Sequence, residues 1–137
     1  MTKSFCNHRY YFPLLIIIFT LLTIELKSME SGFQGPPKIL RHVVMFKFKE
    51  SSTAADVKKV EEAFMALPKK IKTIKSIEFG TNNSPENLNQ GFTHCFILTF
   101  KSEKDRDDYL PHPDHKAFGK VLGPHLDKVM VLDYWAK

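Results

Sequence analysis

Cysteine is scarce in this chain of 137 residues: there are two, Cys6 and Cys95. One falls in the N-terminal leader and the other in a predicted strand, so no disulfide framework is expected and no zinc-type cysteine spacing exists. Cys95 reads as a small sheet or core residue. Glycine is sparse as well, with six. None form a phosphate loop or a dinucleotide fingerprint, so no cofactor is expected. There is no HExxH-like pair. His112 and His115 stand three apart across a proline, so no metal is expected either. Arginine-rich runs are missing. The formal charge is +5, and leaving out residues 1–28, with Lys3, Arg9, Lys27 and Glu25, reduces it to +3. The remaining lysines are scattered, which reads as solvated surface and excludes a nucleic-acid footprint.

Long apolar runs are limited to residues 10–24, YYFPLLIIIFTLLTI. This run follows Lys3 and Arg9 and falls short of the about 20 apolar residues of a membrane span. A basic start and a short apolar run form the pattern of a secretory signal peptide. No Ala-x-Ala site follows, so residues 1–28 read as a signal peptide or an uncleaved membrane anchor. The basic flank favours an N-in orientation, with the domain facing away from the cytoplasm. The alternative is translation from Met29, which leaves a cytoplasmic domain. Residues 29–37, with Gly32, Gly35, Pro36 and Pro37, read as a linker.

What remains, residues 38–137, has the length of one domain with a modest core. Residues 38–49 alternate as a strand, with Leu40, His42, Val44, Phe46 and Phe48 on one face and Arg41, Val43, Met45 and Lys47 on the other. Val57, Val60, Phe64, Leu67 and Ile71 form a helical stripe over residues 53–67 and beyond, with Ser52 or Thr53 as cap and Pro68 near the end. Residues 73–80 form a short strand, and a polar loop through Asn82, Asn83, Ser84 and Pro85 follows. Residues 92–101 form another strand, with His94, Phe96, Leu98 and Phe100 on one face. Ser102 caps a short helix to Leu110. A second helix starts at His112-Pro113 and presents His115, Phe118 and Leu122. Residues 128–135 form the last strand, with Val129, Val131 and Asp133 together. The order βαββαβ, with the second helix split, is the ferredoxin-like α+β plan: a four-stranded antiparallel sheet with helices on one face. The other face carries Val43 and Met45. A domain this small is marginal if it leaves that face wet, so a homodimer closing two sheets into an α/β barrel is expected.

The segments ILRHVVMFKFKE, NQGFTHCFILTFKSEKDRDDY, HPDHKAF and DKVMVLDY resemble, in that order, the stress-responsive dimeric α/β-barrel family, also called Dabb. The resemblance covers residues 38–135 and implies a ferredoxin-like dimer. It implies two functions. Some members are polyketide cyclases that close a linear poly-β-ketone by aldol condensation; others are stress proteins with no evident catalytic role. Transferred residue by residue, the cyclase's tyrosine and histidine fall on Tyr109 and His115. Further pocket positions fall on His42, His94, His112 and Asp133. Apolar positions fall on Val44, Phe46, Phe96, Leu98, Phe118, Leu126 and Val131. The walls depart from the cyclase: Phe64 replaces a tyrosine, Val60 a phenylalanine, and Leu126, expected in the last helix, a tryptophan.

An aldol closure needs a base beside a carbonyl and a donor for the oxygen that gains charge. A histidine, with an unperturbed pKa of about 6.5, suits the first task. A phenol suits the second. Asp133 is expected to hold the His115 imidazole in one tautomer, as the third member of a triad does. Plainer readings compete at each position. His42 and His94 would be core histidines satisfied by a hydrogen bond, His112 a helix cap, and Tyr109 an ordinary packing residue. His8 and His125 carry no case. An open apolar pocket of roughly 300 Å3 or more, taking a small apolar or carbonyl ligand, would favour the enzyme. A closed one would favour the non-enzymatic dimer. Membrane contact is expected only through the leader, if it is retained.

Overall fold

The computed structural model describes residues 38–137. The leader and the linker lie outside the described residues. Alternation of apolar side chains makes β1 of Ile39–Phe48, whose helix-side residues Leu40, His42, Val44 and Phe46 are all buried. Helix α1, Ala54–Met65, opens with a full capping box: the Thr53 hydroxyl accepts from the Asp56 N–H and the Asp56 carboxylate accepts from the Thr53 N–H. The apolar stripe outlasts this helix. Pro68 lacks the N–H that would continue the ladder, so the chain caps at Ala66 and restarts as α2, Leu67–Lys70, with proline in its first turn. Leu67 and Ile71 are buried all the same.

Strand β2 is Ser76–Thr81, shorter at its start than expected. Its first expected residues are drawn into a turn, where the Ile74 N–H donates to the Ile71 carbonyl. Strand β3 is His94–Phe100. Helix α3, Glu103–Tyr109, is capped by Ser102, whose hydroxyl accepts from the Asp105 N–H. Helix α4 is Pro113–Leu122, and β4 is Leu126–Ala136. Leu126 therefore opens a strand; it does not sit on a helix. Gly123-Pro124 stops α4 early and frees the chain to pair with the Phe48 end of β1.

The strands lie in the order β2-β3-β1-β4, each pair antiparallel. This is the ferredoxin-like sheet the sequence predicts. One face carries the helices and the core, in which Phe46, Phe64, Phe96 and Phe118 form an aromatic stack, with Phe64 and Phe118 rings 4.4 Å apart. The other face carries Val43, Met45, Cys95 and Ile97 beside Met130, Leu132 and Tyr134, and the last three are exposed.

Candidate active site

Edge strand β4 pairs with β1 so that Val129, Val131 and Asp133 stand opposite Phe46, Val44 and His42 on the helix side. The helices reach over β1 but leave β4 largely uncovered, with Val129 and Val131 about half exposed. Between these strands and the α3–α4 break lies a cavity of about 190 Å3. Its walls are His42, Val44, Phe46, Phe64, Tyr109, Leu110, His115, Phe118, Leu122, Val129 and Val131.

Three groups in this apolar lining carry chemistry. Tyr109 ends α3 and is buried. Its ring centroid is 4.3 Å from that of His115 and 5.8 Å from that of His42. Burial pushes the phenol well above its ordinary titration range, so it keeps its proton at neutral pH. Among the described residues no hydrogen bond engages its hydroxyl. His115 sits in the first turn of α4, and its Nδ1 is 2.9 Å from the Leu110 carbonyl oxygen. A carbonyl only accepts, so Nδ1 carries the proton and the lone pair rests on Nε2. His42 is buried, with Nδ1 2.6 Å from Asp133 Oδ1. Arg106 Nη1 donates to the other Asp133 oxygen at 2.8 Å. Burial pushes the Asp133 carboxyl up, but the hydrogen bonds from Arg106 and His42 outweigh it and hold it below the usual carboxylate range. An ionised Asp133 can only accept, which places the His42 proton on Nδ1 as well.

The structure redraws the expected set. Asp133 serves His42 and not His115, because it stands directly across the ladder from His42. His94 lies toward the opposite end of the sheet, donates from Nε2 to Glu61 at 3.0 Å and accepts at Nδ1 from the Thr93 hydroxyl at 2.7 Å. Phe96 and Leu98 are wholly buried on β3, one strand removed from the cavity wall. His112 caps α4, its Nδ1 accepting from the Asp114 N–H at 3.2 Å. Leu126 packs against the core at the start of β4 and does not line the cavity. Val60 is core too. His125, given no role, is half-buried and bonds the Ser52 hydroxyl. Leu110, Leu122, Val129 and Arg106 were missed. Arg106 stands three residues before Tyr109, the spacing that puts both on one helical face, and that signal was in the sequence. Among the described residues no three His, Cys, Asp or Glu side chains gather to hold a metal ion.

A ferredoxin-like sheet with two imidazoles and a phenol around an apolar hollow defines a domain of the α/β-barrel class. The chain belongs to the stress-responsive A/B barrel (Dabb) family, whose model matches residues 40–136. It is 35% identical over 101 residues to the stress-response A/B barrel domain-containing protein HS1 of Arabidopsis thaliana, across 74% of this chain and 90% of that protein. It is 30% identical over 95 residues to olivetolic acid cyclase of Cannabis sativa, across 69% of this chain and 94% of that protein. Among solved structures, hydroxynitrile lyase from Passiflora edulis superposes with a TM-score of 0.70 at 28% identity, across 74% of this chain and 96% of that one. The structural neighbours include a dimeric protein of ferredoxin-like fold from Bacteroides fragilis, at 28% identity and a TM-score of 0.59, across 72% of this chain and 96% of that one.

Proposed function

We propose that this domain is a homodimer, joined through its open sheet face, that binds a small carbonyl compound and moves protons on it in a lyase- or cyclase-type reaction. The observation that carries this reading is the pairing of Tyr109 and His115, rings 4.3 Å apart on one cavity wall. The His115 Nε2 lone pair removes a proton from the carbon next to a carbonyl. The Tyr109 hydroxyl donates to the oxygen that takes up the charge. The resulting enolate carbon bonds to a second carbonyl carbon, and the new alkoxide recovers the proton from the imidazolium. Run backwards, the same steps cleave a carbon–carbon bond beside a hydroxyl. The cyclase and lyase relatives by name fit either direction.

The cavity is smaller than the roughly 300–1,000 Å3 common for drug-sized ligands, at about 190 Å3. The Phe46, Phe64 and Phe118 rings fill part of the space. That shortfall favours a second reading, in which the domain is a stress-associated dimer with no catalytic role. Mass spectrometry of ligands retained by the purified protein, followed by turnover of any carbonyl compound found, separates the two. Activity is expected to collapse in His115→Ala while the fold persists. Unchanged turnover in a folded His115→Ala protein ends the enzyme reading.

A further inference from the structure

We propose that His42 is a second proton-handling group of this cavity, and that Arg106 is the positioning residue that sets its charge through the carboxylate of Asp133. The role assigned to His42 Nε2 rests on the cavity reading above; the linkage among the three side chains is a property of the free protein.

The three groups form a line. His42 sits on central strand β1 and is buried. Its Nδ1 proton is committed to Asp133 Oδ1 at 2.6 Å, which leaves the Nε2 lone pair on a ring that lines the cavity. Asp133 Oδ2 takes the Arg106 guanidinium at 2.8 Å. The guanidinium is held from its other edge by Asp107, with Nε and Nη2 within 2.9 Å of Oδ1. Its orientation is therefore fixed from two sides. About a fifth of the Arg106 side chain and a quarter of the Asp133 side chain remain exposed, so their mutual charges are only partly screened.

Charge then decides what His42 does. With Arg106 in place, its guanidinium, shared at the far edge with the more exposed Asp107, offsets the Asp133 carboxylate that faces the imidazole. Without Arg106, the same imidazole faces an uncompensated anion and binds a proton more readily. With Asp133 neutralised, the cation alone remains and protonation is opposed. Other neighbours add little. From α3 the Tyr109 phenol, which stays neutral, approaches at 5.8 Å. From α4 His115 shares the cavity. From β3 come Leu98 in register and the Phe100 ring at 6.3 Å, neither of them ionisable. Arg106 thus keeps a proton-accepting nitrogen available in an apolar cavity, and Asp133 lends the stabilisation needed once that nitrogen is protonated.

The test is imidazole 15N NMR on the full chain across pH 5–9, with the His42 signals identified by their loss in His42→Gln. Wild type is compared with Arg106→Met, Arg106→Lys and Asp133→Asn. Arg106→Met is expected to raise the His42 midpoint by about one unit, a tenfold gain in proton affinity. Asp133→Asn is expected to lower it, and Arg106→Lys to restore it to within a few tenths. Should Arg106→Met fail to fold, Arg106→Gln keeps hydrogen-bond donors without the charge and takes its place. A guanidinium that merely ties α3 to β4 would leave the midpoint unmoved. Midpoints that stay put in the Arg106 and Asp133 variants, or that move together, overturn the proposal. Acetophenone added to wild type tests the cavity separately: if the His42 and His115 ring signals do not respond, the ligand-site reading falls while the linkage is judged on its own titrations.

Discussion

Replacing Tyr109 by phenylalanine removes one hydroxyl and leaves the ring that packs against Phe100, His42 and His115. Stability and function should respond with opposite signs. The residue is 1% exposed, and no described residue bonds its hydroxyl. A buried hydroxyl without a partner costs about 1–3 kcal/mol in protein mutational data. This one opens on a cavity that admits water, so the relief on deletion belongs at the low end, between zero and about 1 kcal/mol. For a domain of about 100 residues that is a rise in Tm of up to about 4–8 °C. A donor aimed at a developing oxyanion is worth about 100- to 1,000-fold in kcat. Tyr109→Phe should therefore match or exceed wild type in thermal melts at fixed protein concentration, yet lose two to three orders of magnitude in turnover. A Tm lowered by more than about 4 °C would refute the argument, because it would mean the hydroxyl already holds a structural bond.

Three further outcomes follow from the same geometry. Thr53→Ala deletes half of the capping box and should cost about 1 kcal/mol, within about 0.5–2, in urea unfolding; an unchanged midpoint would mean α1 is held by packing alone. Leu132→Asp places a charge on the open sheet face, where Leu132 is 57% exposed in the single chain. It should turn a dimer into a monomer in sedimentation, and a species of unaltered mass would exclude that face as the interface. The Asp133 carboxyl titrates below its ordinary 3.8, so its bonds stabilise the fold fully above that pH and fade as the pH falls through the lower folded-state value. Asp133→Asn should accordingly be less stable than wild type at pH 6, with the gap closing toward pH 2; a gap independent of pH would refute the assignment.

Much of the fold was legible because it rests on local rules. Alternation in β1, the Thr53 and Ser102 caps and the proline at the start of α4 each describe a few adjacent residues. The site was legible in its members and not in its pairings. Asp133 was correctly put on the helix-side face with Val129 and Val131, and then given to the wrong histidine. Face is a matter of parity along one strand, whereas partner choice depends on the register between two. Residues directly opposite in an antiparallel pair have Cβ atoms about 4.5–5.5 Å apart, while a partner on the helix layer must be reached across the core. Once β1 and β4 pair His42 with Asp133, the shorter reach wins. Leu126 went astray for a similar reason, since where β4 begins is set by pairing with Phe48 and not by local composition.

The break between α3 and α4 has the strongest claim to be the device that makes the site. In an uninterrupted α-helix, six residues turn the chain by about 600°, which is 240° net, so Tyr109 and His115 would point to different sides. Here the helix stops at Tyr109, passes through Leu110, Pro111 and His112, and restarts at Pro113. Proline has no N–H to continue the first helix and is suited to open the next. The His112 N–H closes a tight turn onto the Tyr109 carbonyl, and the Leu110 carbonyl, released from helical pairing, accepts from His115 Nδ1. One interruption thus brings the two rings together, orients the imidazole and selects its tautomer. The chemistry proposed for this domain depends on Tyr109 and His115 and equally on the two prolines that keep their tract from becoming one helix.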